Sequence, residues 1–379
     1  MSRDALDRVR AVLAARDEAG LRRVLRARSA DDPVLDLASN DYLGLARHPH
    51  VIEGAAAAAA RWGGGSTGSR LVTGTTELHA AFEAELAAFC HAPGALVFSS
   101  GYLANLGAIT ALAGPDVTVV SDAGNHASLI DACRLSRSPV RVVPHRDLDA
   151  LDTALATADT PHRLVVSDAV FSVDGDLADV ARLHAIARAH EAILVLDEAH
   201  SLGVIGADGS GAVVAAGLAA EPDIVRTVTL SKSLGSQGGA VLGAPEVIDL
   251  LVNTARAFIF DTGLAPSSVG AARAALAVLQ AEPGRVTAVR RNAAALAETV
   301  RSLGVETVVP DAAVVPAVLG EPLRALAAAQ ACLDRHVRVG CFRPPSVPAG
   351  RACIRLTARA DLTGYDLTRA GEVLAEVLT

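Results

Sequence analysis

Residues 229–235 read Thr-Leu-Ser-Lys-Ser-Leu-Gly, and Lys232 at their centre is the only lysine in the chain. The other cations among the 34 Lys and Arg residues are all arginine. An arginine serves wherever positive charge is enough, but it keeps its proton at any ordinary pH and cannot act as an amine nucleophile. A lysine retained in so arginine-biased a chain points to covalent chemistry, such as a Schiff base formed by a desolvated amine of lowered pKa. The plainer alternative is a surface lysine that happened to survive.

Outward from Lys232, the chain alternates apolar runs with helical stretches. Strands are predicted at Ala95–Ser99, Val117–Ser121, Val140–Pro144, Leu164–Asp168, Ala192–Asp197, Ile224–Leu230 and Ala240–Leu242. Helices are predicted between several of them, at Leu103–Leu112, Leu148–Ala156 and Leu177–Ala189. Strands apolar on both faces and interleaved with helices imply a mostly parallel seven-stranded sheet sandwiched by helices. Pro266–Gln280 and Val286–Leu303 read as long helices leading away. Residues 47–281 therefore read as a large α/β domain and 282–379 as a smaller C-terminal α/β domain. Residues 1–46 read as an N-terminal arm, with Leu6, Val9 and Leu13 at helical spacing for packing on another body. The Ala55–Ala60 run reads as helix, because alanine has the highest helix propensity.

Composition bounds the function. Apolar residues make up 51% of the chain and charged residues 20%, as in a well-buried globular protein. A net charge of −8, with no basic run interleaved with aromatics, argues against a nucleic-acid surface. No apolar stretch is long enough to span a membrane. Five scattered cysteines without a C-x-x-C pair suit free thiols, and the charged start is unlike a signal peptide. A cytoplasmic protein is expected. Gly63–Gly68 satisfies G-x-G-x-x-G but follows a helix, not a strand, so a flexible loop near a ligand or subunit contact is the better reading. Asp197-Glu-Ala-His200 spells a helicase box, yet a lone lysine at 232 cannot supply the phosphate loop such an enzyme needs upstream.

In open α/β sheets, ligands bind beyond the carboxyl ends of the strands. Three features fall there: Lys232, Asp197 at the end of its strand, and Gly101-Tyr102 opening a helix whose amides suit an anion. An aldehyde-bearing, phosphorylated, aromatic cofactor needs each of them, which describes pyridoxal phosphate (PLP). The chain resembles the fold-type I PLP-dependent transferases, and within them the α-oxoamine synthases. The resemblance rests on eight segments in family order: 39–45, 65–70, 100–105, 126–129, 170–175, 197–200, 229–235 and 343–348.

That resemblance implies roles. Lys232 corresponds to the Schiff-base lysine and proton-transfer base, Asp197 to the partner of the pyridine nitrogen. His200 and Ser172 correspond to partners of the phenolic oxygen, and His126 to the residue stacked on the ring. Gly101, Tyr102, Thr229 and Ser231 correspond to the phosphate cradle, and Thr262 to a residue reaching the phosphate of a partner subunit in a homodimer. Asn40 and Arg355 resemble anchors for the substrate carboxylate, with Arg22, Arg343 and Ser346 as further substrate contacts. No metal is implied. Family members join a small amino acid to an acyl thioester; here the implied pair is L-alanine and a pimeloyl thioester of coenzyme A or acyl carrier protein. Glycine- and serine-using members remain open alternatives. Two positions depart from the family pattern: Cys353 stands where a basic residue is common, and Ala360-Asp361 where a His-containing helix start is frequent.

Overall fold

The computed structural model describes residues 4–379; the first three residues of the charged start lie outside them. Eleven strands form two sheets: β1 (Leu35–Leu37), β2 (Gly94–Phe98), β3 (Val117–Asp122), β4 (Val140–Val143), β5 (His162–Asp168), β6 (Ile193–Asp197), β7 (Ile224–Thr229), β8 (Gly239–Gly243), β9 (Val314–Gly320), β10 (Val337–Phe342) and β11 (Ala352–Thr357).

The large sheet has the order β2-β8-β7-β6-β5-β3-β4. β8 alone runs opposite to the other six strands, pairing antiparallel with β2 and β7. Every residue of β7 and β8 is buried, as expected for strands covered by helices on both faces. The register aligns strand ends: Asp168 of β5 lies beside Asp197 of β6, and Asp197 beside Thr227 of β7. Several chemically active residues therefore emerge at one edge of the sheet.

The small sheet, β1-β10-β11-β9, draws its outer strand from the N-terminal segment: β1 pairs in parallel with β10. Residues 35–37 are thus built into the C-terminal sheet. The Asp7–Glu18 helix of the arm buries none of its residues. The alanine-rich run is the interior of a longer helix, Pro49–Trp62, which crosses the Pro266–Ala281 helix at close range. There the Gly54 and Gly270 backbones meet so tightly that a Cβ at Gly270 would lie 2.5 Å from the Gly54 carbonyl oxygen.

The helix expected from Leu177 begins instead at Val180. Leu177 pairs with Val170 across a short hairpin, and the Asp179 side chain caps the helix by accepting from the Arg182 amide. Local hydrogen bonding by an Asp at an N-cap outweighs the apolar pattern that suggested an earlier start.

Candidate active site

Lys232 follows β7 and lies half-buried at the carboxyl edge of the large sheet. Its Nζ is 2.9 Å from Nε2 of His200. Burial lowers its pKa to about 8, against the opposing pull of Asp197 and Asp168. The other nitrogen of His200, Nδ1, lies 2.5 Å from the hydroxyl of Tyr42, which has no exposed surface. Burial and the nearby cation hold the His200 ring neutral, well below the usual range. The ring is thus clamped between a phenol and the amine.

Asp197 is buried at the end of β6. Its Oδ1 accepts from the Ala199 amide at 2.8 Å, and its Oδ2 accepts from Asn105 Nδ2 at 2.7 Å. Asn105 also donates to Ser128 Oγ and accepts from Thr227 Oγ1. Ser128 Oγ lies 2.7 Å from His126 Nδ1, which also accepts from the Ser128 amide. A continuous chain therefore runs His126–Ser128–Asn105–Asp197. Because Nδ1 of His126 accepts, the proton of the neutral ring sits on Nε2. Burial lowers the pKa of that ring in the same sense. Asp168, beside Asp197, accepts from the His126 amide at 2.7 Å, and burial next to a second carboxylate raises its pKa well above the usual range.

The Gly101–Leu112 helix begins next to these groups, with Ser100 as N-cap. Its first-turn amides lack intrahelical acceptors, which makes the end an anion site. The backbone around it is packed without side chains: a Cβ at Gly239 would lie 2.5 Å from both Cα and N of Gly101, and one at Gly101 would lie 3.0 Å from Thr229 Cβ. Thr229 and Ser231 place their hydroxyls 2.7 Å apart at the same edge. Tyr102 contributes to this end through its amide; its hydroxyl donates to Asp131 at 2.6 Å instead.

Arg355, on β11 of the small sheet, closes the site from the opposite side. It is buried, donates through Nη2 to Asn40 Oδ1 at 2.8 Å and through Nη1 to the Ser172 carbonyl, and stacks over Phe342. Its Nε is buried without a partner among the described residues, leaving one donor free for a bound acceptor.

The structure brings together Lys232, His200, Asp197, His126, Gly101, Thr229, Ser231, Asn40 and Arg355. Ser172 joins them through its carbonyl. Three of the expected residues lie away from this chain's own cluster, Thr262 among them as one expected to serve a partner subunit's site. Arg22 pairs with Asp17 on the exposed arm, Ser346 is exposed in its turn, and Thr262 is exposed beside Ser69. Arg343 is buried but donates to the Gly20 carbonyl, so in this chain it fastens the arm. An arginine on a long stem takes the nearest acceptor, which sequence spacing does not reveal. Tyr42, Asn105, Ser128 and Asp168 were not singled out. Tyr42, Asn105 and Ser128 lie inside three of the eight family-like segments, which was the available signal.

This set fits PLP. An amine with a pKa near 8 can attack an aldehyde, a buried carboxylate can hold a ring nitrogen's proton, and a bare-backbone helix start can take a phosphate. Residues 32–374 match the model for aminotransferase class I and II. The chain is 60% identical over 364 residues to an 8-amino-7-oxononanoate synthase of Mycobacterium sp. strain JLS, covering 96% of this chain and 94% of that one. It belongs to the 8-amino-7-oxononanoate synthase family. A serine palmitoyltransferase of S. paucimobilis, solved with a bound PLP–myriocin aldimine, superposes with a TM-score of 0.92 at 30% identity, covering 99% and 98% of the two chains. An 8-amino-7-oxononanoate synthase from Francisella tularensis superposes with a TM-score of 0.78 at 25% identity, covering 92% and 98%. The mostly parallel seven-stranded sheet expected from the strand pattern is present, and the fold-type I architecture that the resemblance implied is the one these relatives share.

Proposed function

We propose that this chain condenses L-alanine with a pimeloyl thioester, releasing 8-amino-7-oxononanoate, the free thiol and carbon dioxide, as a step of biotin synthesis in the cytoplasm. The observation that carries the reading is the half-buried lone Lys232 beside His200, with Asp197 and Arg355 completing the pocket. PLP, when bound, supplies a conjugated electron sink for the charge left on the substrate α-carbon.

The chain's own residues do the rest. Lys232 would hold the cofactor through its amine, and the same amine would move the proton at the substrate Cα. A pKa near 8 keeps that amine able to accept and return a proton at neutral pH. Asp197, fixed by Asn105 and the Ala199 amide, keeps a proton on the cofactor's ring nitrogen. His200, fixed by Tyr42, faces the amine and guards its position. His126, its ring fixed through Nδ1 by Ser128, would lie against the cofactor ring. Arg355 and Asn40 bind the amino-acid carboxylate, Arg355 through the donor it has to spare. The Gly101 helix start, with Thr229 and Ser231, binds the phosphate. Arg343, which fastens the arm, together with Arg22 and Ser346, is proposed to meet the thioester, and Thr262 to complete the site of a second copy in a homodimer. Whether the thiol is coenzyme A or an acyl carrier protein is read by offering the pimeloyl group on each carrier in turn.

The test is product formation from L-alanine, glycine and L-serine against pimeloyl-, succinyl-, acetyl- and palmitoyl thioesters. 8-Amino-7-oxononanoate from the alanine and pimeloyl pair, at a kcat/KM well above every other combination, is expected. Faster turnover of glycine with succinyl-CoA, or of serine with palmitoyl-CoA, would reassign the chain within the α-oxoamine synthases.

A further inference from the structure

The hairpin closed by Val170 and Leu177 carries the Ser172 carbonyl that accepts from Arg355. It lies at the joint between the two sheets. On the small-domain side, the Leu177 amide donates to Asp311 at 3.0 Å, and a Cβ on Gly175 would lie 2.7 Å from the Val314 carbonyl oxygen. On the large-domain side two adjacent residues, His145 and Arg146, make the connection through Asp176. His145 places Nδ1 2.9 Å from Asp122 at the end of β3 and Nε2 3.1 Å from Asp176 in the hairpin. Its ring also meets the edge of Phe171, the residue before Ser172, at a centroid distance of 4.3 Å.

This arrangement is built rather than incidental. Asp122 accepts from the Gly124 amide at 2.6 Å and the Arg146 amide at 2.7 Å as well as from His145, so the carboxylate is fixed before the ring reaches it. Gly124 has no side chain because a Cβ there would lie 2.6 Å from His145 Nδ1. Arg146 adopts a left-handed φ of 58°, which accompanies its amide's bond to Asp122. Both ring nitrogens face carboxylates, so both donate and the ring is an imidazolium. The charged groups facing it are Asp122 from β3, Asp176 from the hairpin and the neighbouring Arg146, which also reaches Asp176 at 3.1 Å.

We propose that His145 is a positioning residue for amino-acid binding: it latches the hairpin to β3 and thereby sets, through the Ser172 carbonyl, where Arg355 stands. The inference rests on the reading of Arg355 as the carboxylate anchor. It gives a residue remote from the substrate a defined effect, on binding of the amino acid and not on the chemistry at Lys232. Hydrogen bonds inside the hairpin, Gly175 amide to Phe171 carbonyl at 2.9 Å and Phe171 amide to Asp176 carbonyl at 3.0 Å, make it a unit that moves together when its anchor is lost.

The experiment compares wild-type holoenzyme with His145→Gln and Asp176→Asn by hydrogen exchange and by steady-state kinetics. In His145→Gln, exchange at residues 171–178 should rise by about tenfold or more while β5 and β6 keep theirs. The KM for L-alanine should rise roughly threefold to thirtyfold with kcat nearly unchanged. Asp176→Asn, which keeps the size and loses the charge, should shift both in the same direction by less. In an Arg355→Lys background, His145→Gln should add little further to KM, because the two act through one contact. A loosened hairpin with wild-type KM would overturn the link to Arg355, and unchanged exchange in both variants would overturn the latch. Full additivity with Arg355→Lys would reduce His145 to ordinary stability. Wild-type enzyme that binds no L-alanine would sink the functional reading itself, whatever the exchange pattern of the hairpin.

Discussion

At the scale of residues, the site turns on the protonation of one amine. At pH 7 an amine of pKa about 8 is neutral in roughly one molecule in ten, some 300 times the fraction of an amine at 10.5. Capture of PLP by cofactor-free protein should therefore accelerate between pH 6 and 8 and level off above about 8. A rise that continues past pH 10, followed by visible absorbance, would mean the amine is not desolvated. The sign for stability follows from the same depression: between about pH 8 and 10.5 the unfolded chain binds the extra proton, so this group makes the cofactor-free fold more stable as pH rises through that window. Lys232→Arg keeps charge without a nucleophile. Turnover should fall roughly a thousandfold or more, with no borohydride-fixed PLP on any internal peptide, as measured by peptide mapping. Lys232 was legible because composition isolates it, and Asp197 because it ends an apolar strand. Tyr42 and Asn105 were not: their importance lies in touching His200 and Asp197, from residues 158 and 92 positions away. No local pattern encodes such a partner.

At the scale of elements, strand positions were legible to within about two residues, because β5, β6 and β7 are apolar on both faces and end in polar residues. The exceptions have local causes. The 170–177 hairpin was hidden by apolar residues that also suit a helix, and the pairing of β1 with β10 joins segments some three hundred positions apart. Glycine placement was only partly legible. Gly101 was expected at the phosphate end, but the need for Gly239 appears only when β8 is seen against the helix start. Gly239→Ala would set a methyl 2.5 Å from the Gly101 backbone, where no flexible side chain can yield. It should cost about 1–3 kcal/mol of stability. The displaced helix start should also weaken PLP binding by about tenfold or more, read by fluorescence titration. Gly284→Ala is the control: nothing lies within 4 Å of its Cβ, at the first position of the Gly284–Ser302 helix. That change should be neutral or stabilising by up to ~1 kcal/mol in thermal melts. Equal effects from the two substitutions would remove the close-approach argument.

At the scale of the whole molecule, the outer surface near the site is unlike that of a self-sufficient chain. The π-helical turn Arg70–Gly74 exposes Leu71 (53%) and Val72 (78%), and Phe260, beyond the short Arg256–Ile259 helix it abuts, is exposed at 70%. These residues flank the Ser69–Thr262 bridge, next to the glycine-rich 63–68 loop. Large apolar side chains gathered at one place on a surface mark a contact site. A two-fold homodimer would cover the same patch on each copy and bring two sites to one boundary, which is the setting in which an exposed Thr262 acquires a use. The arm helix likewise buries none of its residues in this chain. Sequence suggested the dimer from Thr262 and the glycine loop alone; the apolar turn between them was not legible, because a short Leu-Val pair in a loop carries no period. The wild-type protein should scatter light as twice the 38.6 kDa chain. Val72→Asp places a charge in the middle of the patch, where burial without a partner is costly, and should shift the protein toward monomer at micromolar concentration. If the second copy completes each site, PLP affinity and specific activity should fall together with the dimer fraction as the variant is diluted, and recover on concentration. A Val72→Asp monomer that binds PLP and turns over as the wild type does would show that each chain carries a complete site of its own.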